Sequence, residues 1–308
     1  MIRRLLLWAS TNRFLAERLP RLGFVRRAVR RFIPGETLGD AVEASERLGE
    51  DGIAAVLTLL GENVESPEEA DEVREHYGEV LAEAEGLRPP AEISVKLTQL
   101  GLDQGPGVAR EAVEDLCRRA ATAGRRVWID MESSRYVERT LELFRAVRAS
   151  HENAAVCLQA YLYRTEDDLE ELLTDGATIR LVKGAYAEPA DVAYPARADV
   201  DEAYLRLGSR LLADMEADGS RRHAFATHDL DLLGRIREEA RKRGLPDDAY
   251  ELQMLYGIRP EAQRHLARDG ASVRVLISYG PAWFPWYMRR LAERPANVWF
   301  LVRSLFAR

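Results

Sequence analysis

Short apolar segments recur at a regular interval along the chain, and polar, helix-forming segments separate them. The apolar segments show no alternation between polar and apolar positions, which is typical of strands that are buried on both faces. The pattern therefore predicts eight β-strands, at Ile53–Leu60, Ile93–Leu97, Val127–Met131, Ala155–Tyr161, Ile179–Lys183, Ala224–Thr227, Leu252–Tyr256 and Val273–Ser278.

Local start and stop signals place helices between these strands. Ser66 precedes Pro67 and two glutamates, which is the arrangement of an N-cap followed by proline and acids in the first helical turn. Gly124 is typical of a helix stop. The predicted helices are Ser66–Gly86, Val108–Ala123, Tyr136–Ser150, Thr165–Thr174, Val200–Ala217, Leu230–Arg243, Arg259–Arg268 and a last helix near Trp283–Arg294.

The order of these elements predicts a fold of the α/β class. Eight strand–helix units without a long linker indicate a (β/α)8 barrel. A doubly wound sheet is the alternative, but the segment after the first strand, Leu59–Asn63, lacks the GxGxxG fingerprint of that fold. We expect a barrel domain over residues 36–308 and an arm over residues 1–35. In such barrels the active site lies at the carboxyl ends of the strands.

Charge distinguishes the arm from the barrel. The first 33 residues carry nine arginines and one glutamate, a net charge of +8, which leaves −15 for the remainder of a chain whose total is −7. An acidic body does not suit nucleic acid as a ligand. Apolar residues lie between the arginines, so we predict a basic amphipathic helix that either packs on the body or contacts an anionic membrane.

The composition limits the cellular compartment of the protein and the kinds of site that it can contain. With 46% hydrophobic and 31% charged residues the chain can bury a large core, and no segment reaches the length of a membrane-spanning helix. Cys117 and Cys157 are too few for a disulfide scaffold, and no Cys/His spacing resembles a zinc site, so we expect no metal. The start of the chain does not resemble a signal peptide. We expect a cytoplasmic protein, with or without peripheral contact at the inner face of the cell membrane.

Two charged residues lie at the ends of neighbouring predicted strands. Only three of the 44 basic residues are lysines. A lysine at position 96, inside the second strand, is therefore unlike the arginines that the chain uses elsewhere. Asp130 ends the third strand, and a buried carboxylate there needs a cation. We predict that Lys96 and Asp130 form an ion pair, which on spacing alone is either structural or functional.

More polar residues end the following strands. They are Gln159, Arg180, Lys183 and His228. A rim that is cationic and rich in donors suits a polyanionic or dinucleotide ligand, and Gly184 would let the backbone approach it closely. Taken alone, His228 is better explained as a buried histidine bonded to Asp229.

The last predicted helix carries a pair of arginines beside aromatic residues. Arg289 and Arg290 follow Trp286 and Tyr287, an arrangement that resembles a carboxylate clamp covered by rings. Arginine pairs are frequent in this chain, so on their own they fit a solvated basic face better.

Together these motifs resemble the proline dehydrogenase family, in its short monofunctional bacterial form. They occur in the family's order and cover roughly residues 36–303. The matching segments are Ser94–Leu97, Trp128–Met131, Leu158–Leu162, Arg180–Tyr186, Ala226–Asp229, Glu251–Gly257 and Tyr287–Glu293.

The resemblance implies a distorted (β/α)8 barrel that holds FAD non-covalently and whose last helix lies over the barrel mouth. It implies that Arg289 and Arg290 hold the substrate carboxylate and that Glu62 is an acidic gate. The residues that shape the substrate pocket would be Lys96, Asp130, Leu255, Tyr279 and Tyr287. The residues that hold the flavin would be Met131, Gln159, Arg180, Val182, Lys183, Gly184, Ala185, Tyr186, Thr227 and His228.

The implied reaction is oxidation of L-proline to Δ1-pyrroline-5-carboxylate by hydride transfer to flavin N5, the first step of proline catabolism to glutamate, with membrane quinone as electron acceptor. Arg180 is the candidate cation for the reduced flavin. Lys96 and Asp130 either shape the pocket as an ion pair, or one of them assists deprotonation of the amine. Two rival hypotheses are a barrel aldolase with Lys183 as a Schiff-base lysine and a non-catalytic membrane scaffold.

Overall fold

A computed structural model describes residues 31–283. Eight parallel strands close into a barrel in sequence order, which confirms the predicted fold. Strands β1 and β8 close it, with Ala54 beside Arg274 at one end and Leu59 beside Tyr279 at the other. The strands are β1 (Ala54–Leu59), β2 (Glu92–Val95), β3 (Val127–Ile129), β4 (Ala154–Gln159), β5 (Thr178–Val182), β6 (Ala224–Ala226), β7 (Glu251–Leu255) and β8 (Ser272–Tyr279).

Helices surround the barrel in the described part of the chain. They are α1 (Leu38–Glu50), α2 (Pro67–Glu83), α3 (Pro106–Ala121), α4 (Val137–Arg148), α5 (Thr165–Thr174), α6 (Arg197–Ala217), α7 (Leu230–Lys242) and α8 (Pro260–Arg268), with short 3-10 turns at Ala84–Gly86 and Ser134–Tyr136. Helices α2 to α8 follow β1 to β7 as the sequence predicts. Arm residues 1–30 and the predicted last helix beyond Trp283 lie outside the described residues.

Helix α1 was not predicted, although its start signal is present. The Thr37 hydroxyl accepts from the Asp40 N–H, and the Asp40 carboxylate accepts from the Thr37 N–H, so the two residues form a capping box. The helix packs against β1 and β8. In a regular barrel that groove holds the helix that follows β8. In this protein α1, which precedes β1 in the sequence, occupies the groove.

The core has two layers. The larger one lies between the sheet and the helices and contains outward-facing strand residues such as Leu57, Leu181 and Val275. The smaller one lies inside the barrel and includes Val56 and Trp128. Charged and polar side chains share this interior, whereas branched apolar residues fill most barrels of this class. Within residues 31–283, no helix has the length and apolar character that crossing a bilayer requires.

Candidate active site

Arg180 and Asp130 form the centre of the candidate site. Arg180 lies on β5 and Asp130 follows β3, and Nη2 of Arg180 donates to Oδ1 of Asp130 at 2.5 Å. The strand between them, β4, places the small Cys157 beside Arg180 in register, so no large side chain separates the pair. Ser94 on β2 completes the group, since its Oγ lies 2.9 Å from Asp130 Oδ1 and 2.6 Å from Arg180 Nη2.

Two further contacts hold the Arg180 guanidinium. Its Nη1 donates to Oε1 of Gln253 on β7 at 3.2 Å. Its Cζ lies 4.9 Å from the centre of the Trp128 ring, which is within cation–π range. The Arg180 side chain is only 3% exposed, whereas that of Asp130 is 22% exposed. A buried positive charge is thus compensated by a carboxylate that solvent, and therefore a ligand, can reach.

An ionic floor, formed by Glu92, Glu251 and Arg274, lies below this group toward the amino ends of the strands. Arg274 donates to Glu251 at 2.9 and 3.1 Å and approaches Glu92 to 3.4 Å. Burial alone would raise the pKa of Glu251, but Arg274 lowers it to about 2. Trp128 Nε1 donates to Glu92 at 2.6 Å, and Gln253 Nε2 donates to Glu251 at 2.9 Å. The floor therefore anchors two of the residues that contact Arg180, Trp128 and Gln253.

Lys96 does not form the predicted ion pair with Asp130. In the described part of the chain, the cation that pairs with Asp130 is Arg180. Lys96 lies in the electrostatic field of Glu132, whose carboxylate accepts from the Thr98 N–H at 3.0 Å and from the Thr98 hydroxyl at 2.7 Å. Burial raises the pKa of Glu132, while these hydrogen bonds and the charge of Lys96 act against that rise. The predicted pair joins neighbouring strands, whereas the observed pair joins β5 and β3. The long side chain of Arg180 reaches across β4 to Asp130.

The segment after β5 combines a paired lysine with a required glycine. The Lys183 Nζ lies 2.5 Å from Asp201 and 3.0 Å from Asp229, so two carboxylates compensate its charge. Gly184 has φ 114°, and a Cβ at that position would come within 2.2 Å of the Tyr161 ring. The backbone after β5 thus runs so close to the end of β4 that only glycine fits there.

Gln159, at the end of β4, offers an unused acceptor. Its Nε2 donates to the Met131 carbonyl at 3.2 Å. Its Oε1 is buried and has no hydrogen-bond partner among residues 31–283. A buried acceptor without a partner costs free energy. The Oε1 atom therefore suits a donor on a bound ligand, and the ring N–H of a flavin is such a donor.

The other predicted flavin residues lie on the same side of the barrel. Val182 ends β5, and Ala185 and Tyr186 follow it. Thr227 and His228 follow β6, where the Thr227 hydroxyl accepts from the Asp229 N–H at 3.2 Å. All ten predicted flavin residues therefore lie on β3 to β6 or in the loops that follow these strands.

The predicted substrate residues are less concentrated. Leu255 ends β7, and Glu62 lies in the loop after β1. The Tyr279 hydroxyl instead lies 2.8 Å from Nε2 of His76 on α2, and Tyr279 is only 1% exposed, in the layer between sheet and helices. Tyr287, Arg289 and Arg290 lie outside the described residues.

Four residues of this arrangement received no role from the sequence. Ser94 and Trp128 lie on β2 and β3, two positions before the predicted Lys96 and Asp130, which directly follow these strands. Gln253 is a polar residue inside a predicted buried strand, and that is a signal which the sequence itself contains. His76 gave none, because its partner Tyr279 is 203 residues away.

Comparisons with known sequences all lead to one family. The sequence model of the family described as "Proline dehydrogenase" matches residues 41–303. Proline dehydrogenase 1 of Bacillus subtilis (strain 168) is 35% identical over 305 residues, which cover 99% of both chains. Proline dehydrogenase of Deinococcus radiodurans is 36% identical over 282 residues, which cover 89% of both chains.

Solved structures show the same fold. Proline utilization A of Bdellovibrio bacteriovorus, inactivated by N-propargylglycine, superposes with a TM-score of 0.80 at 24% identity, over 94% of this chain and 36% of that one. A mutant of proline utilization A of Bradyrhizobium japonicum gives 0.75 at 21% identity, over 91% of this chain and 32% of that one. The present chain thus spans about a third of those proteins, and the likeness shows that the barrel is common to them.

Proposed function

The chain belongs to the proline dehydrogenase family, and from that premise we propose that it oxidises L-proline to Δ1-pyrroline-5-carboxylate with non-covalently bound FAD. Membership makes it an oxidoreductase that performs the first step of proline catabolism. The observation that carries the finer proposal is the buried guanidinium of Arg180, held by Asp130 and Ser94 among the strand ends. A fixed positive charge there can stabilise the anion that forms when a flavin is reduced.

The residues after β3 to β6 fit FAD. Gln159 Oε1 lacks a donor among the described residues, and Gly184 lets the backbone after β5 pass close to the Tyr161 ring, at the strand ends where the ligand would bind. When bound, FAD supplies the two-electron acceptor for the hydride that leaves the proline ring carbon beside nitrogen. Met131, Gln159, the segment from Arg180 to Tyr186, Thr227 and His228 hold the cofactor in this proposal.

Substrate binding is assigned to the other side of the mouth. Arg289 and Arg290 each donate to the proline carboxylate, and Glu62 closes the site by pairing with this clamp. Fixing the ring in this way can supply much of the reduction in barrier, because it removes rotational and translational freedom before reaction. Leu255 and Tyr287 shape the pocket in this proposal. Tyr279 is left out of it, because its hydroxyl lies 2.8 Å from His76 in the layer between the sheet and the helices.

The two charged residues at the substrate pocket receive different roles. The bonds from Arg180 and Ser94 to Asp130 support an orienting role for that carboxylate. Lys96 has no ion pair with Asp130 among the described residues, so it is our candidate for assisting loss of the amine proton. The amine must be neutral before its lone pair can assist hydride loss.

The arm is proposed to bring the barrel mouth to the membrane, where quinone accepts the electrons. The end of the arm lies beside the carboxyl ends of β7 and β8. The Gly35 carbonyl accepts from the Gly280 N–H at 3.4 Å, and Trp283 Nε1 donates to Glu36 at 3.0 Å. Helix α1 already fills the groove between β8 and β1, and in this proposal the predicted last helix lies over the mouth.

A direct assay tests the proposed reaction. The purified chain should show flavin absorbance and reduce a soluble dye only when L-proline is added. Protein without flavin that forms a borohydride-trapped adduct at Lys183 would instead support the aldolase hypothesis. The ion pairs of Lys183 with Asp201 and Asp229 argue against that chemistry, because a Schiff-base lysine must be neutral to attack.

A second assay tests the proposed membrane contact. The full chain should co-sediment with anionic vesicles at low salt, and removal of residues 1–30 should abolish this, since each basic residue near anionic lipid contributes about 1 kcal/mol. The truncation stops at residue 30 because Ile33 is buried in the barrel domain. Activity with membrane quinone should then fall more than activity with the dye. Equal sedimentation of both proteins would contradict the assignment.

A further inference from the structure

Gln253 lies between two charged groups and forms a hydrogen bond with each of them. On one side lies the Arg180 guanidinium, which can only donate, and Nη1 reaches Gln253 Oε1 at 3.2 Å. On the other side lies the ionised Glu251, which can only accept, and Gln253 Nε2 reaches it at 2.9 Å. An amide has one acceptor end and one donor end, so the two neighbours fix which way it points.

The Glu251 end of this contact is rigid. Arg274 donates two hydrogen bonds to the Glu251 carboxylate, at 2.9 and 3.1 Å, and such bidentate pairs hold their geometry. Glu251 is 2% exposed and Gln253 is 3% exposed, so water cannot replace either bond. The position of the amide is therefore determined by the ionic floor.

From this geometry we propose that Gln253 is a positioning residue that holds the Arg180 guanidinium where it acts on the flavin. The inference rests on the proposed function, in which Arg180 stabilises the reduced flavin. Asp130 and Ser94 bond to Nη2 of the guanidinium, and Gln253 bonds to Nη1. Removing the Gln253 bond leaves Nη1 without the hydrogen bond that fixes its side of the guanidinium, while the bonds at Nη2 remain.

Two substitutions separate positioning from packing. Gln253→Glu keeps an acceptor for Arg180 but loses the donor to Glu251. In its ionised form it adds a negative charge beside Arg180, so the reduced, anionic flavin should be less stable. Gln253→Met keeps the approximate volume and removes both hydrogen bonds. The matched control is Gln263→Met on α8. Gln263 is also 2% exposed and donates to two carbonyl groups, of Leu255 and Ile258, but it has no contact with Arg180.

The experiment measures the midpoint potential of the bound flavin by dye equilibration, the Kd for FAD, and thermal unfolding, for the four proteins. We expect Gln253→Glu to shift the equilibrium of flavin reduction about tenfold toward the oxidised form, which is about 30 mV for a two-electron couple. Gln253→Met should slow flavin reduction by proline about tenfold with KM for proline unchanged. Gln263→Met should lower the melting temperature without either change.

The outcomes are distinguishable. If the wild-type chain binds no flavin or does not respond to proline, the proposed function is wrong. If the wild-type chain is active and both Gln253 variants keep its potential and its rate of flavin reduction, Gln253 is only a packing residue and the inference fails. If Gln253→Glu does not fold, Gln253→Met alone decides, and the control shows whether the loss of any buried amide has the same effect.

Discussion

Arg180 on β5 and Asp130 after β3 pair across the inside of the barrel, with Nη2 2.5 Å from Oδ1 and the whole of β4 between their strands. The pair links two parts of the site that the sequence treats separately, since Arg180 belongs to the predicted flavin side and Asp130 to the predicted substrate side. A substitution that moves one of these two side chains should therefore also move the other, because a hydrogen bond joins them directly.

A double-mutant cycle tests this pair. Removing one partner of a buried ion pair costs about 3–5 kcal/mol, because the other charge stays buried and uncompensated. We expect Arg180→Met and Asp130→Leu each to lower the free energy of unfolding in urea by that order. The double variant should lose less than the sum of the two, with a coupling of more than about 1 kcal/mol.

Lys96 supplies the matched control cycle. Lys96→Met combined with Asp130→Leu should be nearly additive in unfolding free energy, within about 0.5 kcal/mol, because no ion pair joins these residues in the described part of the chain. Strong coupling in the Lys96 cycle and none in the Arg180 cycle would mean that the originally predicted pairing forms in solution.

The turn at Gly184 gives a second prediction. Gly184→Ala places a methyl group against the Tyr161 ring at a φ of 114°, and such backbone strain costs roughly 1–3 kcal/mol. Because the strain lies where the flavin is proposed to bind, the Kd for FAD should rise at least about tenfold. Titration of FAD fluorescence against apoprotein measures this.

Gly270→Ala is the control for Gly184→Ala. Gly270 also has a positive φ, of 86°, but a Cβ there meets no atom within 4 Å. The control should lose stability to a similar degree through its backbone and bind FAD like the wild-type chain. Wild-type FAD affinity in Gly184→Ala would remove the segment after β5 from the proposed cofactor site.

The sequence contained enough to predict the barrel. Most strand residues are apolar because helices cover one face of the sheet and the barrel interior covers the other, and strands of that kind can be predicted without knowledge of their partners. Helix α1 is not evident from the pattern because its fully buried positions, Ala41, Ala44 and Ser45, are small or polar, although the capping box at Thr37 and Asp40 marks its start.

The contacts of the site were harder to predict than its location. Strand ends place Lys96, Asp130, Gln159 and Arg180 near one another, and that much follows from topology alone. Which side chains pair depends on their lengths and on the small residues between them, and Cys157 beside Arg180 shows this. An ion pair that crosses a strand depends on the side chains of three strands together. Their relative positions cannot be predicted from the sequence alone.

The proposed carboxylate clamp gives a third prediction. Arg289→Met and Arg290→Met each remove one charge-assisted hydrogen bond to the proline carboxylate, worth roughly 1.5–3 kcal/mol. That corresponds to an increase in KM for proline of about ten- to a hundredfold, with a smaller change in kcat. Uncharged proline amide should be a poor substrate of the wild-type enzyme. The clamp is wrong if both variants keep the wild-type KM, or if amide and acid turn over equally.

The contact between His76 and Tyr279 predicts how stability depends on pH. Burial lowers the pKa of His76, although Glu79 at 3.7 Å acts in the opposite direction. In the unfolded chain the imidazole has an ordinary pKa of about 6.5, so below that pH the unfolded state binds more protons than the folded state. Stability is therefore fully present above about pH 6.5 and is lost as pH falls toward the folded pKa.

Replacing His76 by glutamine should remove this dependence. His76→Gln keeps a hydrogen-bonding group near the Tyr279 hydroxyl but cannot titrate, so its free energy of unfolding should change less between pH 7 and pH 5 than that of the wild-type chain. A single group contributes at most about 1.4 kcal/mol per pH unit, which sets the upper limit of the difference. The control is His265→Gln, because the His265 side chain is 78% exposed. Its replacement should leave the pH dependence of the unfolding free energy as it is in the wild-type chain.

Urea unfolding at pH 5, 6 and 7 measures this free energy for all three proteins. If the unfolding free energy of His76→Gln changes with pH as much as that of the wild-type chain, the burial of His76 against Tyr279 has no measurable linkage to folding. Another group then controls stability in acid.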